Sequence, residues 1–254
     1  MTFFFGNVTS FSEEVVEYAL GLPPCVHGFL FVESHLRADK LSTTTSTSIR
    51  HGWVPVAAEA SASDRSEQGT FGKCFCSTRS HLQVLPLSEC TWDPRGLWLS
   101  NVVDLLGWEV PLQGDPILVL GSYHRHGPAS ANFEAVARWT SVGRFPFVLL
   151  GDFNDSPEQL AELPWLSILN CQLLLPSNSS VTCRAREDSE SLIDFGLVST
   201  SASQLVTLET VDAVPWPTHC GLRLTVQKQP NRWQHRVLET PARFPPLSLS
   251  LIHI

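Results

Sequence analysis

Two short, uninterrupted apolar runs near the start of the chain, Phe3-Phe-Phe5 and Phe29-Leu-Phe-Val32, bracket a segment with helical patterning. The first run ends at Gly6-Asn7 and the second at Glu33, and each reads as a buried strand. Between them, Ser10-Phe-Ser-Glu13 has capping-box form. Val15, Val16, Ala19 and Leu20 then recur at helical spacing as far as Gly21 and the Pro23-Pro24 stop. Strands joined through a helix cross over and lie parallel, so this unit predicts an α/β fold.

The rest of the chain continues the alternation. Residues 41–48 and 57–70 are rich in small polar residues and are expected as surface loops around a strand near Trp53–Val56. Phe71–Cys76 and His81–Leu87 are expected as hairpin strands, followed by strands at Trp98–Leu105 and Ile117–Leu120, the last ending at Gly121-Ser-Tyr123. Phe133, Val136, Ala137 and Thr140 share one helical face. Phe145-Pro-Phe-Val-Leu-Leu150 then runs as a strand straight into Gly151-Asp-Phe-Asn154. Ser156-Pro-Glu158 starts a short helix, and Leu192–Ser199 and Leu222–Val226 are further strands. From Gln227 the chain loses its apolar periodicity. The 254 residues therefore divide into one domain at 1–226 and a tail or linker at 227–254. The final Leu249-Ser-Leu-Ile-His-Ile254 coincides with one reading frame of a common transposase sequencing adapter, so these residues are expected not to be native.

Composition narrows the class. At 43% hydrophobic and 17% charged residues the chain can build a sizeable core, and no apolar run reaches the length of a membrane span. The start lacks the basic and long apolar regions of a secretory signal, so an intracellular protein of the nucleus or cytoplasm is expected, most simply a monomer. Seven scattered cysteines without a CxxC pair read as free thiols of a reducing compartment; Cys74-Phe-Cys76 with His81 lacks the paired spacing of a zinc site. The Asn7-Val-Thr and Asn178-Ser-Ser sequons read as chance matches. Net charge is −8 and only three basic residues are lysine (Lys40, Lys73, Lys228), which counts against nucleic-acid binding by passive counterion release.

Polar groups gather where apolar strands stop: Asn7, Glu33, Tyr123, Asp152, Asn154, Asp194 and His219. Taken singly, Asp152 reads better as a turn cap and His219 as a satisfied surface histidine. Taken together they suit a strand-end site, because loops at one edge of an α/β sheet carry chemistry on a rigid frame. Oxygen donors such as Glu33 and Asn7 suit a hard cation like magnesium. Asp194 beside His219 would orient a protonated ring toward a developing negative oxygen. Asp152 could take a proton from water while Asn154 positions that water or a phosphate oxygen. Acyl transfer fits poorly, since there is neither Gly-x-Ser-x-Gly nor an activated nucleophile.

Gly151-Asp-Phe-Asn154 after an apolar strand, Asn7-Val-Thr-Ser10, Glu33, Ser191-Leu-Ile-Asp194-Phe and Thr218-His219, in this order, resemble the endonuclease/exonuclease/phosphatase superfamily over about residues 3–226. The resemblance implies a four-layer α/β sandwich of two mixed β-sheets flanked by helices. It also implies that Asn7 and Glu33 hold Mg2+ (or Mn2+), that Tyr123 contacts the phosphate and that Asp152 activates the attacking water. Asn154 would help position the water or the scissile group, and Asp194 would orient His219, which stabilises the pentavalent phosphorane. The sequence departs from the family pattern at Thr218, where an aspartate is usual, and at Lys73, where Gly69-Thr-Phe-Gly72 leads one to expect another small residue. Removing that charge should weaken the metal site. Three functions follow: a magnesium-dependent endonuclease of retroelement type acting on DNA or RNA, a phosphatase acting on a small phosphate ester or lipid head group, and a decayed remnant of the fold.

Overall fold

The computed structural model describes residues 1–62, 70–82, 84–87, 104–125, 127, 130–143, 145–186 and 189–228. In chain order the first half holds β1 (Thr2–Asn7), α1 (Glu13–Leu20), β2 (Val26–Val32), α2 (Ala38–Arg50), β3 (Trp53–Ala57), β4 (Ser61–Ala62), β5 (Thr70–Phe71) and β6 (Cys74–Arg79). There follow β7 (Leu85–Leu87), β8 (Leu105–Val110), β9 (Ile117–Tyr123), α3 (Ser130–Gly143), β10 (Phe147–Asp152), α4 (Pro157–Glu162) and α5 (Trp165–Ile168). The last described part holds β11 (Cys171–Leu174), β12 (Cys183–Arg186), β13 (Ser189–Ser191), β14 (Asp194–Ser199), β15 (Val206–Val211) and β16 (Gly221–Val226).

Two six-stranded sheets result, in the orders β15-β16-β1-β2-β6-β3 and β11-β14-β10-β9-β8-β7. Each has a parallel pair near its middle, β1 with β2 and β9 with β10, and is antiparallel elsewhere. The near-continuous apolar runs have a simple cause: both faces of these strands are covered. Phe3, Phe5, Leu30, Val148 and Leu150 point between the sheets and meet Trp108, Val119 and Leu222. Their alternating neighbours point outward. Phe4, Phe29 and Phe31 pack under α1 with Val15 and Ala19, and Phe147 and Leu149 pack under α3 with Phe133 and Val136. The architecture is the four-layer α/β sandwich of two mixed sheets flanked by helices that the resemblance implied. Among the described residues no helix is long and apolar enough to cross a membrane.

Local expectations were corrected at several points. Residues 41–48 are not a loop but lie in α2. Its Thr44 and Ser48, one turn apart, are buried, and Thr43 Oγ1 donates back to the Asp39 carbonyl at 3.1 Å, satisfying that hydroxyl within the helix. In the 57–70 segment β4 pairs with β5; residues 63–69 lie outside the described residues. The strands on either side of residue 80 are not a hairpin: β6 joins β2 and β3, whereas β7 crosses to the other sheet and pairs with β8. The strand expected at Trp98–Leu105 begins only at Leu105, with 98–103 outside the described residues, as are 229–254 of the tail. The cap of α1 is Ser12, whose Oγ accepts from Val15 N at 3.4 Å, and not a Ser10 capping box. Cys74 and Cys76 are buried in the inter-sheet core while His81 is exposed, so they do not gather around a metal.

Gly107 on β8 shows how close the strands approach. A Cβ there would overlap the Val119 carbonyl oxygen and stand 2.8 Å from Leu120 Cα, backbone atoms that cannot move aside. Gly107→Ala is expected to destabilise the protein by at least about 2 kcal/mol, read as a lower urea midpoint with unchanged slope.

Candidate active site

Strand direction places the site. The C-terminal ends of the parallel pairs fall at one edge of the two sheets, which brings Asn7, the residue after Val32, Tyr123 and Asp152 together. Asp194 opens β14 and lies directly opposite Asp152 in the antiparallel ladder. His219 precedes β16, which runs antiparallel to β1 and so begins at the same edge. Asp152, Asp194 and His219 each offer a ligand atom, and these atoms lie within 4.8 Å of one another.

The hydrogen bonds are specific. Asn7 Nδ2 donates to Asp152 Oδ2 at 2.7 Å, and the Asn154 backbone N–H donates to Oδ1 of the same carboxylate at 3.0 Å. Asn7 Oδ1 in turn accepts from Thr9 N. His219 Nδ1 and Asp194 Oδ2 are 2.8 Å apart. Tyr123 hydrogen-bonds Glu33, and burial together with that carboxylate raises its phenol pKa well above the usual range. All seven residues singled out in the sequence therefore stand at one edge. Asn154 is the outermost, exposed, with its Nδ2 donating to the His124 carbonyl at 3.0 Å.

Burial and like charge set the electrostatics. Asp152 is 1% exposed; burial and the neighbouring Asp194 charge push its carboxyl up to about 7, against the opposing pull of His219, Asn7 and Asn154. Burial also raises Asp194, opposed by the His219 hydrogen bond. For His219, burial alone would lower the imidazole. The hydrogen bond and charge of Asp194, joined by Asp152 and Glu33, outweigh it and lift the ring to about 9. The arrangement pairs a carboxylate poised near neutrality with a ring held protonated.

Several residues that support the site left only faint sequence signals. Thr182 Oγ1 accepts from both Ile193 N and Asp194 N, fixing the start of β14. His124 is fully buried, stacks on Phe153, and contacts Ser122 Oγ through Nε2 at 2.9 Å; Asn132 Nδ2 donates to that same hydroxyl. Burial lowers His124 to about 3, so the ring is neutral. The polar Ser122-Tyr-His124 run following an apolar strand was the available clue. Lys73 is accommodated as a buried cation paired with Asp104 at 3.1 Å, and Gly72 beside it has φ +42°, where a Cβ would stand 3.3 Å from the Tyr123 ring.

No protein-family model matches the sequence, and no curated protein matches it. Solved structures do match. The endonuclease domain of TRAS1, a telomere-specific non-LTR retrotransposon, superposes with a TM-score of 0.62 at 14% identity, covering 90% of this chain and 99% of that one. The catalytic domain of Xenopus laevis APE2 gives 0.64 at 13% identity, covering 92% and 94%. A mannosyl-6-phosphatase of Bacteroides thetaiotaomicron gives 0.54 at 15% identity, covering 89% and 99%. The fold is that of the endonuclease/exonuclease/phosphatase superfamily. Structural neighbours within this superfamily fold thus include both nucleases and a phosphatase.

Thr218 stands next to His219 with φ +72°. A β-branched residue in the left-handed region is strained by roughly 1–2 kcal/mol, whereas asparagine and aspartate tolerate it. Thr218→Asn is expected to stabilise the protein by about 1 kcal/mol, a rise of roughly 2–4 °C in Tm. The raised imidazole pKa of His219 has its own signature. Folding increases its proton affinity, so its contribution to stability is full below about 6.5 and is lost as pH rises through about 9. The Tm of metal-free protein is expected to fall across that window, and calorimetry of His219→Gln should show a flatter profile.

Proposed function

We propose that the chain is a magnesium-dependent phosphoesterase that hydrolyses phosphodiester bonds, an endonuclease of retroelement type. The observation that carries this reading is the convergence of Asp152, Asp194 and His219 within 4.8 Å, with an acid near neutrality beside an imidazolium. Asp152, held by Asn7 and by the Asn154 backbone, takes the proton of the attacking water. His219, oriented through Nδ1 by Asp194, presents its Nε2 proton to the oxygen on which charge develops. Tyr123, tethered by Glu33, contacts a phosphate oxygen.

The donor set fits a hard divalent ion. Carboxylates crowd the edge without matching positive charge, which is why Asp194 raises Asp152, and Asn7 Oδ1 keeps a lone pair beyond its bond from Thr9. Glu33 and Asn7 would hold the ion, which when bound neutralises phosphate charge and polarises a phosphate oxygen. Thr218 stands in the αL turn where an aspartate is usual. Thr218→Asp is expected to lower the Mg2+ concentration needed for half-maximal cleavage, and Thr218→Asn, relieving the same strain without charge, is not.

A cleft of about 570 Å3 lies close in sequence to Glu33, lined by Ser10, His35, Arg37, Asp39, Lys40, Glu59 and Thr70. Its two cations stand among two carboxylates, so its charge is balanced and does not by itself select a polymeric substrate. The retroelement assignment is supported by the likeness to the TRAS1 endonuclease domain. The scarcity of lysine favours the second reading, a phosphatase on a small phosphate ester; Thr218 favours a decayed remnant.

The test is cleavage of plasmid and abasic DNA, alongside a panel of phosphate esters, with and without Mg2+. Magnesium-dependent nicking is expected, abolished by chelator and reduced at least about a hundredfold by Asp152→Ala or His219→Ala. Phosphate release from the esters alone would move the protein to the second reading. Native protein inert with both Mg2+ and Mn2+ would leave the remnant.

A further inference from the structure

His219 faces a thiol. Cys183 on β12 forms an isolated antiparallel bridge with His219. The bridge is clamped on both sides, by Arg184 N donating to the Thr218 carbonyl at 2.6 Å and Cys220 N donating to the Thr182 carbonyl at 2.7 Å. Cys183 Sγ lies 3.8 Å from His219 Nε2, and the residue is 4% exposed. Because Nδ1 is committed to Asp194, Nε2 is the nitrogen turned to the sulfur.

This is the donor arrangement of a soft-metal site: a thiolate, an imidazole nitrogen, and a carboxylate behind the ring that fixes its orientation. Zn–S and Zn–N bonds of about 2.3 and 2.0 Å meeting near the tetrahedral angle would place sulfur and nitrogen roughly 3.6 Å apart. The observed separation needs little adjustment. Magnesium has no use for this pair, since it takes oxygen ligands and avoids sulfur. None of the roles assigned to Asp152, Asp194 or His219 requires a thiol at this position.

We propose that Cys183 and His219 form a binding site for a thiophilic divalent ion, Zn2+ or Cd2+, whose occupancy removes His219 Nε2 from catalysis. Binding forms a metal–sulfur and a metal–nitrogen bond and releases the thiol and Nε2 protons to solvent. Water completes the shell. The ion is thus an inhibitor of the site, distinct in ligand chemistry from the hard ion that activates it. The inhibition rests on the phosphoesterase reading, whereas the binding does not.

Cadmium is the probe, because its bond to a thiolate absorbs in the ultraviolet. The exposed Cys25 would add its own signal, so the full chain is titrated in a Cys25→Ser background. One saturable equivalent of the absorbance band is expected. Adding Cys183→Ser should remove it, and adding Asp194→Asn, which frees the ring, should weaken binding about 10–100-fold. If Cys183→Ser fails to fold, His219→Asn serves in its place, with the band expected to shift to at least tenfold higher cadmium concentration. A band that survives both changes, or no band in the Cys25→Ser parent, overturns the proposal. Because this readout needs no turnover, a protein that cleaves nothing still tests it.

Discussion

Leu30 on β2 lies so close to Gly121 on β9 that a Cβ on the glycine would stand 3.0 Å from the leucine side chain. That apolar contact is where the two sheets meet at their parallel centres, and the site depends on it. Neither sheet carries a complete set of groups. Asn7, Glu33 and His219 belong to one and Tyr123, Asp152 and Asp194 to the other, so the chemistry exists only where the inner faces hold the two edges in line. Hydrophobic burial, which has no direction of its own, acquires one here because the strands it glues end together.

The polar edge is costly by itself. Asp152 and Asp194 are buried, face one another across a ladder, and have His219 as the nearest compensating charge. Buried charges persist when hydrogen bonds hold them, and Asn7, the Asn154 amide and Thr182 serve that end. The same deficit of positive charge would favour a divalent cation at this edge.

The residues most readily found in the sequence were those marked by a change of pattern. Asn7, Glu33, Tyr123, Asp152 and His219 follow or precede apolar runs, and a strand buried on both faces cannot continue through such residues. Where pattern and structure parted, the cause was non-local. The Ser/Thr-rich α2 has weak intrinsic helicity and is held by packing against β3, which its own sequence does not announce. The transfer of β7 to the far sheet is likewise decided by a partner later in the chain. Lys73 looked misplaced until Asp104 supplied its counter-charge. Thr182 and Cys183 meet Asp194 and His219 from later in the chain, and no local signal distinguishes them from ordinary strand-end residues, whereas His124 left only the polar run after its strand.

Among the described residues, seven non-glycine residues adopt positive φ, and six of them, Thr9, Glu33, His35, Lys73, Asn154 and Thr218, lie at the edge that carries the site, while Asn170 sits at the other end. Conformations of this kind persist only while their surroundings enforce them. The edge is therefore the least durable part of an otherwise well-packed molecule. On warming, its loops are expected to relax before the sheets part.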